Sequence, residues 1–118
     1  MNYYVDVILP LPLKGTFTYE LSQDEFNKLE IGFRVAVSFG KRKIYTGIVN
    51  ELHNNKPESY ETKPIEFIYD DKSLVSQNQI DFWNWLSRYY FVPIGDVMKA
   101  AVPSTFLLES DSLIIKKE

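Results

Sequence analysis

The sequence contains no cysteine, which excludes a disulfide scaffold, thiolate metal sites and a cysteine nucleophile. It has a single histidine, His53, and that removes most metal-centre and general-base schemes. No apolar run approaches the roughly 18–20 residues of a membrane span, so a soluble protein without membrane attachment is expected. The opening stretch MNYYVDVILPLPLKG has no basic leader and no small-residue cleavage site, and so predicts no secretory signal. Positive charge is also scarce. Thirteen Lys and Arg stand against 16 Asp and Glu, a formal charge of −3, which taken alone argues against a nucleic-acid binder.

What is present is the material of one ordinary domain. The 118 residues leave no room for two independent cores, and 45% hydrophobic with 25% charged residues is globular composition rather than disorder. The charge is unevenly spread. Residues 14–49 carry a net +2, with Lys14, Lys28, Arg34, Lys41, Arg42 and Lys43 as the bases, whereas residues 50–118 carry −4. The only run of three consecutive bases is Lys41-Arg42-Lys43. It is too short to wrap phosphates, and its plainest reading is a solvated hairpin tip.

The first half reads as strands. Tyr4 to Leu9 is rich in β-formers, and Pro10 and Pro12 stop it by removing ladder donors. Lys14-Gly15 is a turn. Thr16 to Leu21 then alternates, with Phe17, Tyr19 and Leu21 on one face and Thr16, Thr18 and Glu20 on the other. Ser22-Gln23-Asp24-Glu25 is a capping box with Leu21 and Phe26 as its hydrophobic staple, predicting a short helix over 23–29. Phe33 to Phe39 alternates cleanly, Gly40 to Lys43 reads as a hairpin tip, and Ile44 to Val49 as the return strand. Gly47 inside that strand predicts a bulge or a close backbone approach. Asn54 to Ser59 is a polar loop, and Pro64 to Tyr69 a further short strand.

The second half is helical. Ser76 and Gln79 repeat the capping box, Val75 and Ile80 the staple, and the helix should run to about Tyr90. Ile80, Trp83, Leu86 and Tyr90 follow helical spacing, with Phe82, Trp85 and Tyr89 widening the arc. Core packing is the better reading of that stripe than a binding face. Pro93 ends this helix, a second is expected over Asp96 to Ala101, and Pro103 closes it. Leu113-Ile114-Ile115 reads as a last strand, and the abrupt Lys116-Lys117-Glu118 end suggests a piece of a longer chain.

Little here reads as catalytic. His53 has no Ser, Cys or acidic partner at a recognised spacing and reads as a surface residue. Asp70-Asp71, between a strand and a capped helix, is turn chemistry. The phosphate-cradling G-x-x-x-x-G-K-[ST] pattern is absent. What remains is a small β-rich body with aromatics and a local positive edge. Such a module can stack the bases of single-stranded nucleic acid on its rings, each stack contributing on the order of 1–3 kcal/mol. An SH3-like module holding a peptide through Tyr45, Tyr60 or the helix aromatics fits the same composition.

The order of segments is more specific. V-D-V-I-L-P-L-P-L-K-G-T-F-T-Y (5–19), I-G-F-R-V-A-V-S-F-G-K-R-K (31–43) and G-I-V-N-E-L (47–52) are followed by K-P-I-E (63–66), W-L-S-R-Y-Y (85–90) and P-I-G-D-V…A-A-V-P (93–103). This string resembles the amino-terminal domain of the PriA family, the replication-restart helicases of bacteria, over about residues 4–107. The resemblance implies an α+β fold, with a small OB-like or barrel-like sheet and short helices at its side, forming a single domain over 1–118.

It also implies binding of the free 3′ end of a nascent leading strand at a stalled or abandoned fork. The pocket would be built by Phe17, Thr18, Tyr19, Gly40 and Lys63, with Arg34, Lys41, Arg42 and Lys43 as candidate phosphate contacts. The parent would be an ATP-dependent helicase moving 3′ to 5′ in the bacterial cytoplasm. ATP, magnesium and zinc would be held beyond residue 118, so this segment is expected to be no enzyme and to carry no cofactor. Forked DNA, single-strand-binding protein and primosome proteins are the implied partners. One departure stands out. The family commonly has an aspartate where this chain has Thr18, so the carboxylate's stronger acceptance is lost there.

Overall fold

In the computed structural model, described for residues 2–40, 43–69 and 72–102, five strands and three helices follow one another along the chain. Tyr3–Ile8 (β1) and Phe17–Leu21 (β2) precede the short helix Gln23–Lys28 (α1). Arg34–Ser38 (β3) and Ile44–His53 (β4) form the central hairpin, and Phe67–Ile68 (β5) is a two-residue edge. Gln77–Tyr90 (α2) and Ile94–Ala101 (α3) complete the described chain. The sheet order is β2-β1-β4-β3-β5, and every strand pair is antiparallel.

This sheet curls into a half-barrel, and the stretch leading into β5 spans its open side. The Glu20 N–H donates to the Lys63 carbonyl at 2.9 Å beside an isolated parallel bridge from Glu20 to Pro64. Glu66 N–H donates to the Ala36 carbonyl at 2.7 Å. The two margins of the sheet are thereby brought onto one segment. The fold is α+β, as the residues and the resemblance imply.

Alternation along the strands divides the apolar residues between two cores. Val5, Val7 and Leu9 of the first strand and its extension point inward with Tyr19, Phe33, Val35, Val37 and Val49. Ile8 and Ile48 point outward, where Ile80 and Trp83 of α2 and Ile94 and Met98 of α3 cover them. Pairing of β1 with β4 passes over Asn50, since Asp6 faces Glu51 and Val7 faces Val49. That bulge lets Val49 and Leu52, three apart, both serve the inner core. Gly47 is the close approach: a Cβ there would lie 2.3 Å from Val7 Cγ1 and 2.9 Å from the Ile8 carbonyl oxygen.

Both capping boxes form, with the reciprocal bonds of Ser22 and Glu25 and of Ser76 and Gln79. Three expectations need correction. The strand expected over Pro64 to Tyr69 shrinks to Phe67–Ile68, because Pro64 has no N–H and Ile65 turns into the inner core. The last helix starts at Ile94 rather than Asp96, with Pro93 at its cap. The aromatic arc of α2 is not core. Ile80 and Trp83 are buried, but Phe82, Trp85, Tyr89 and Tyr90 are 47–61% exposed. Phe82, Trp85 and Tyr89 lie on one another instead, with ring centroids 6.0 and 4.9 Å apart. Asp70-Asp71 and the expected strand at Leu113 to Ile115 lie outside the described residues.

Candidate nucleic-acid interface

The alternation of β2 settles where its three central residues go. Tyr19 faces inward and is buried, and its hydroxyl donates to the Ser38 carbonyl at 2.7 Å, tying β2 to the end of β3. Burial pushes the Tyr19 phenol well above its ordinary value of 10.0, and the neighbouring Tyr60 adds to the shift, so this hydroxyl stays protonated. Phe17, on the same face but at the barrel mouth, is only half-buried. Its ring meets Phe39 edge-on at 4.7 Å. Gly40 follows with φ +73°, a conformation that favours glycine. A Cβ at Gly40 would meet nothing within 4 Å, so backbone conformation rather than crowding accounts for the glycine in the free protein.

Phe17, Thr18, Tyr19, Gly40 and Lys63 line one concavity of about 200 Å³ at this mouth. Residues 21 to 46 positions apart in sequence thus meet there because β3 ends, and β2 begins, beside the segment that spans the barrel. Lys63 is exposed at the rim. Lys43 is exposed too, and its carbonyl accepts from Phe39 N–H at 2.9 Å, which keeps it beside the same wall. Arg34 is elsewhere. It starts β3, four residues and roughly 13 Å from Ser38, and its guanidinium sits over the Tyr69 ring at 5.6 Å. Lys41 and Arg42 fall outside the described residues.

The structure adds residues that the sequence did not single out for this site. Tyr60 closes one side: its hydroxyl accepts from Thr18 N–H at 2.9 Å, and its ring lies 5.5 Å from that of Phe17. Glu61 lines the same rim and pairs with Lys56 at 3.6 Å. Behind Thr18 stands Asp6, directly opposite it in the β1–β2 register. Thr18 donates its hydroxyl to Asp6 Oδ1 at 2.6 Å, so the threonine that departs from the family pattern already has a carboxylate beside it.

His53 also has a partner, contrary to the sequence reading. Its Nε2 lies 2.8 Å from Asp6 Oδ1, and its side chain is 16% exposed. Asn55 N–H donates to Nδ1 at 3.0 Å, so Nδ1 accepts and Nε2 carries the proton. Forty-seven residues separate the two, which is why no local spacing revealed them. This is not a catalytic triad. The carboxylate stands between hydroxyl and imidazole, so the imidazole cannot take the threonine proton.

Among the described residues no group of His, Cys, Asp or Glu could hold a metal ion. No described helix is long and apolar enough to cross a membrane. Tyr45, offered for the peptide-binding alternative, is half-buried against the inner core.

The comparisons with known proteins agree with one another. Residues 6–103 match the family model described as the 3′ DNA-binding domain of PriA. Replication restart protein PriA of Buchnera aphidicola subsp. Acyrthosiphon pisum is 30% identical over 113 residues, covering 96% of this chain and 15% of the relative. The protein of the same name from Treponema pallidum is 24% identical over 108 residues, covering 88% of this chain and 16% of the relative. The chain therefore spans about one-sixth of the length of these relatives. The family matched is a DNA-binding one and not a catalytic one. With a half-barrel of the expected class and a match running through nearly all its elements, this chain belongs to the family of PriA 3′ DNA-binding domains.

Proposed function

We propose that the concavity at the barrel mouth takes the 3′-terminal nucleotide of a DNA strand. The observation that carries this reading is the meeting of Phe17, Thr18, Tyr19, Gly40 and Lys63 around one small hollow. At about 200 Å³ the hollow is smaller than the roughly 300–1,000 Å³ of sites for drug-sized ligands. It suits one ring-sized terminal group better than an extended strand. The Phe17 ring supplies an apolar face for the last base, and Lys63 and Lys43 supply compact positive charge for the last phosphate.

In this reading Thr18 lies near the terminal sugar, its hydroxyl held from behind by Asp6, and a 3′ phosphate is disfavoured by the Glu61 carboxylate on the rim. The domain uses no cofactor. It directs a larger ATP-dependent, 3′-to-5′ DNA helicase to nascent leading strands at forks in the bacterial cytoplasm. ATP, magnesium and zinc belong to the rest of that protein, as do contacts with single-strand-binding and primosome proteins. The test is fluorescence anisotropy with one labelled oligonucleotide, prepared with a free or a phosphate-blocked 3′ end. Tighter binding of the free end is expected, and equal affinities would refute end recognition.

A further inference from the structure

Strand β2 borders the sheet, and its outward-facing amides at Thr18 and Glu20 need partners from outside the ladder. They find different kinds. Glu20 N–H is held by a backbone carbonyl, that of Lys63, at 2.9 Å. Thr18 N–H is held only by a side chain, the Tyr60 phenol, at 2.9 Å. A side chain can rotate away without disturbing the fold, so this second donor can be surrendered to a ligand.

The ring geometry requires such a movement. The Tyr60 and Phe17 centroids are 5.5 Å apart and their planes tilted by 46°. A flat base in contact with both rings needs about 3.5 Å on each face, or about 7 Å between them. No base fits between the two rings while Tyr60 stays where it is. Tyr60 is 36% exposed, and residues 54–62 form neither helix nor strand, so little packing opposes its rotation.

The geometry points to Tyr60 as a further nucleotide-contacting residue, which plugs the empty concavity and stacks on the outer face of the terminal base when it is filled. This rests on the end-binding reading above. On entry, an oxygen of the nucleotide takes over the Thr18 N–H. The released phenol swings outward, and its ring and that of Phe17 cover opposite faces of the base.

Two substitutions at this one position then act in opposite directions. Tyr60→Phe keeps the ring but removes the hydroxyl that competes for Thr18 N–H, so binding tightens by roughly two- to tenfold, the factor of one net hydrogen bond. Tyr60→Ala removes the competitor and the stacking surface together, and a net loss of at least several-fold is expected because a stacked base outweighs one hydrogen bond. Tyr60→Leu, which keeps apolar cover over Phe17, should weaken binding as alanine does.

Anisotropy titrations of a free-3′-end oligonucleotide, with thermal melts of each variant, make the test. Tightening by both Phe and Ala would mean a plug without stacking and would overturn the inference. So would weakening by both in step with a lowered melting temperature, or no change in either. If the unsubstituted chain and Phe17→Ala differ in binding while the Tyr60 variants do not, the pocket stands and Tyr60 falls. Absence of binding by the unsubstituted chain would take both readings down.

Discussion

Phe17 and Tyr19 stand two residues apart on one face of β2, yet they do different work. Tyr19 is 4% exposed and its hydroxyl is committed to Ser38. Tyr19→Phe should cost about 1 kcal/mol, the worth of one hydrogen bond. It should also change how stability depends on pH. A phenol held protonated above its ordinary value of 10.0 contributes fully below that value and loses its contribution as pH rises above it. Denaturant melts should therefore show stability flat through neutral pH and falling above about pH 10, with a shallower fall in Tyr19→Phe. Phe17 is the half-buried member at the mouth. Phe17→Ala should still unfold cooperatively while oligonucleotide affinity drops by tenfold or more, the value of a lost stacking surface. Loss of folding without selective loss of binding would make Phe17 a core residue instead.

Among the elements, α3 shows most directly how packing can override propensity. Gly95 lies in its first turn, where alanine would ordinarily favour a helix by about 1 kcal/mol. A Cβ there would lie 2.1 Å from the Leu9 carbonyl oxygen and 2.2 Å from that of Leu11. Both are backbone atoms that cannot turn aside. Gly95→Ala should thus destabilise by roughly 1–3 kcal/mol, measured as a lower urea midpoint, rather than stabilise.

What could be seen in the sequence followed from range. The capping boxes at Ser22 and Ser76 and the alternation of β2 and β3 are signals within a few residues, and all appear in the structure. The partners of Asp6 lie on other strands, 12 and 47 residues away, and Tyr60 reaches Thr18 across 42. Nothing local announces such pairings. The α2 stripe misled for another reason. Its apolar residues extend around more of the helix than the sheet can cover, and periodicity does not say which part is left outside.

For the molecule as a whole, the charge of −3 bears on how DNA is held rather than whether it is. Lys63 and Lys43 are near the concavity, while Arg34 is engaged at the far end of β3. With two to four phosphates neutralised at roughly −0.7 per contact, the logarithmic salt slope should be about −1.4 to −2.8. A slope near −5 would reveal a wrapped backbone. The half-barrel's closure has its own consequence for such a grip. The segment from Tyr60 to Glu66 walls the hollow and also seams β2 to β3, through Glu20 with Lys63 and Thr62 and through Ala36 with Glu66. Seam and socket are therefore one object. On the proposed end-binding reading, a nucleotide seated there bears on a joint that is already closed, so that gripping a strand end loads the barrel's own seam.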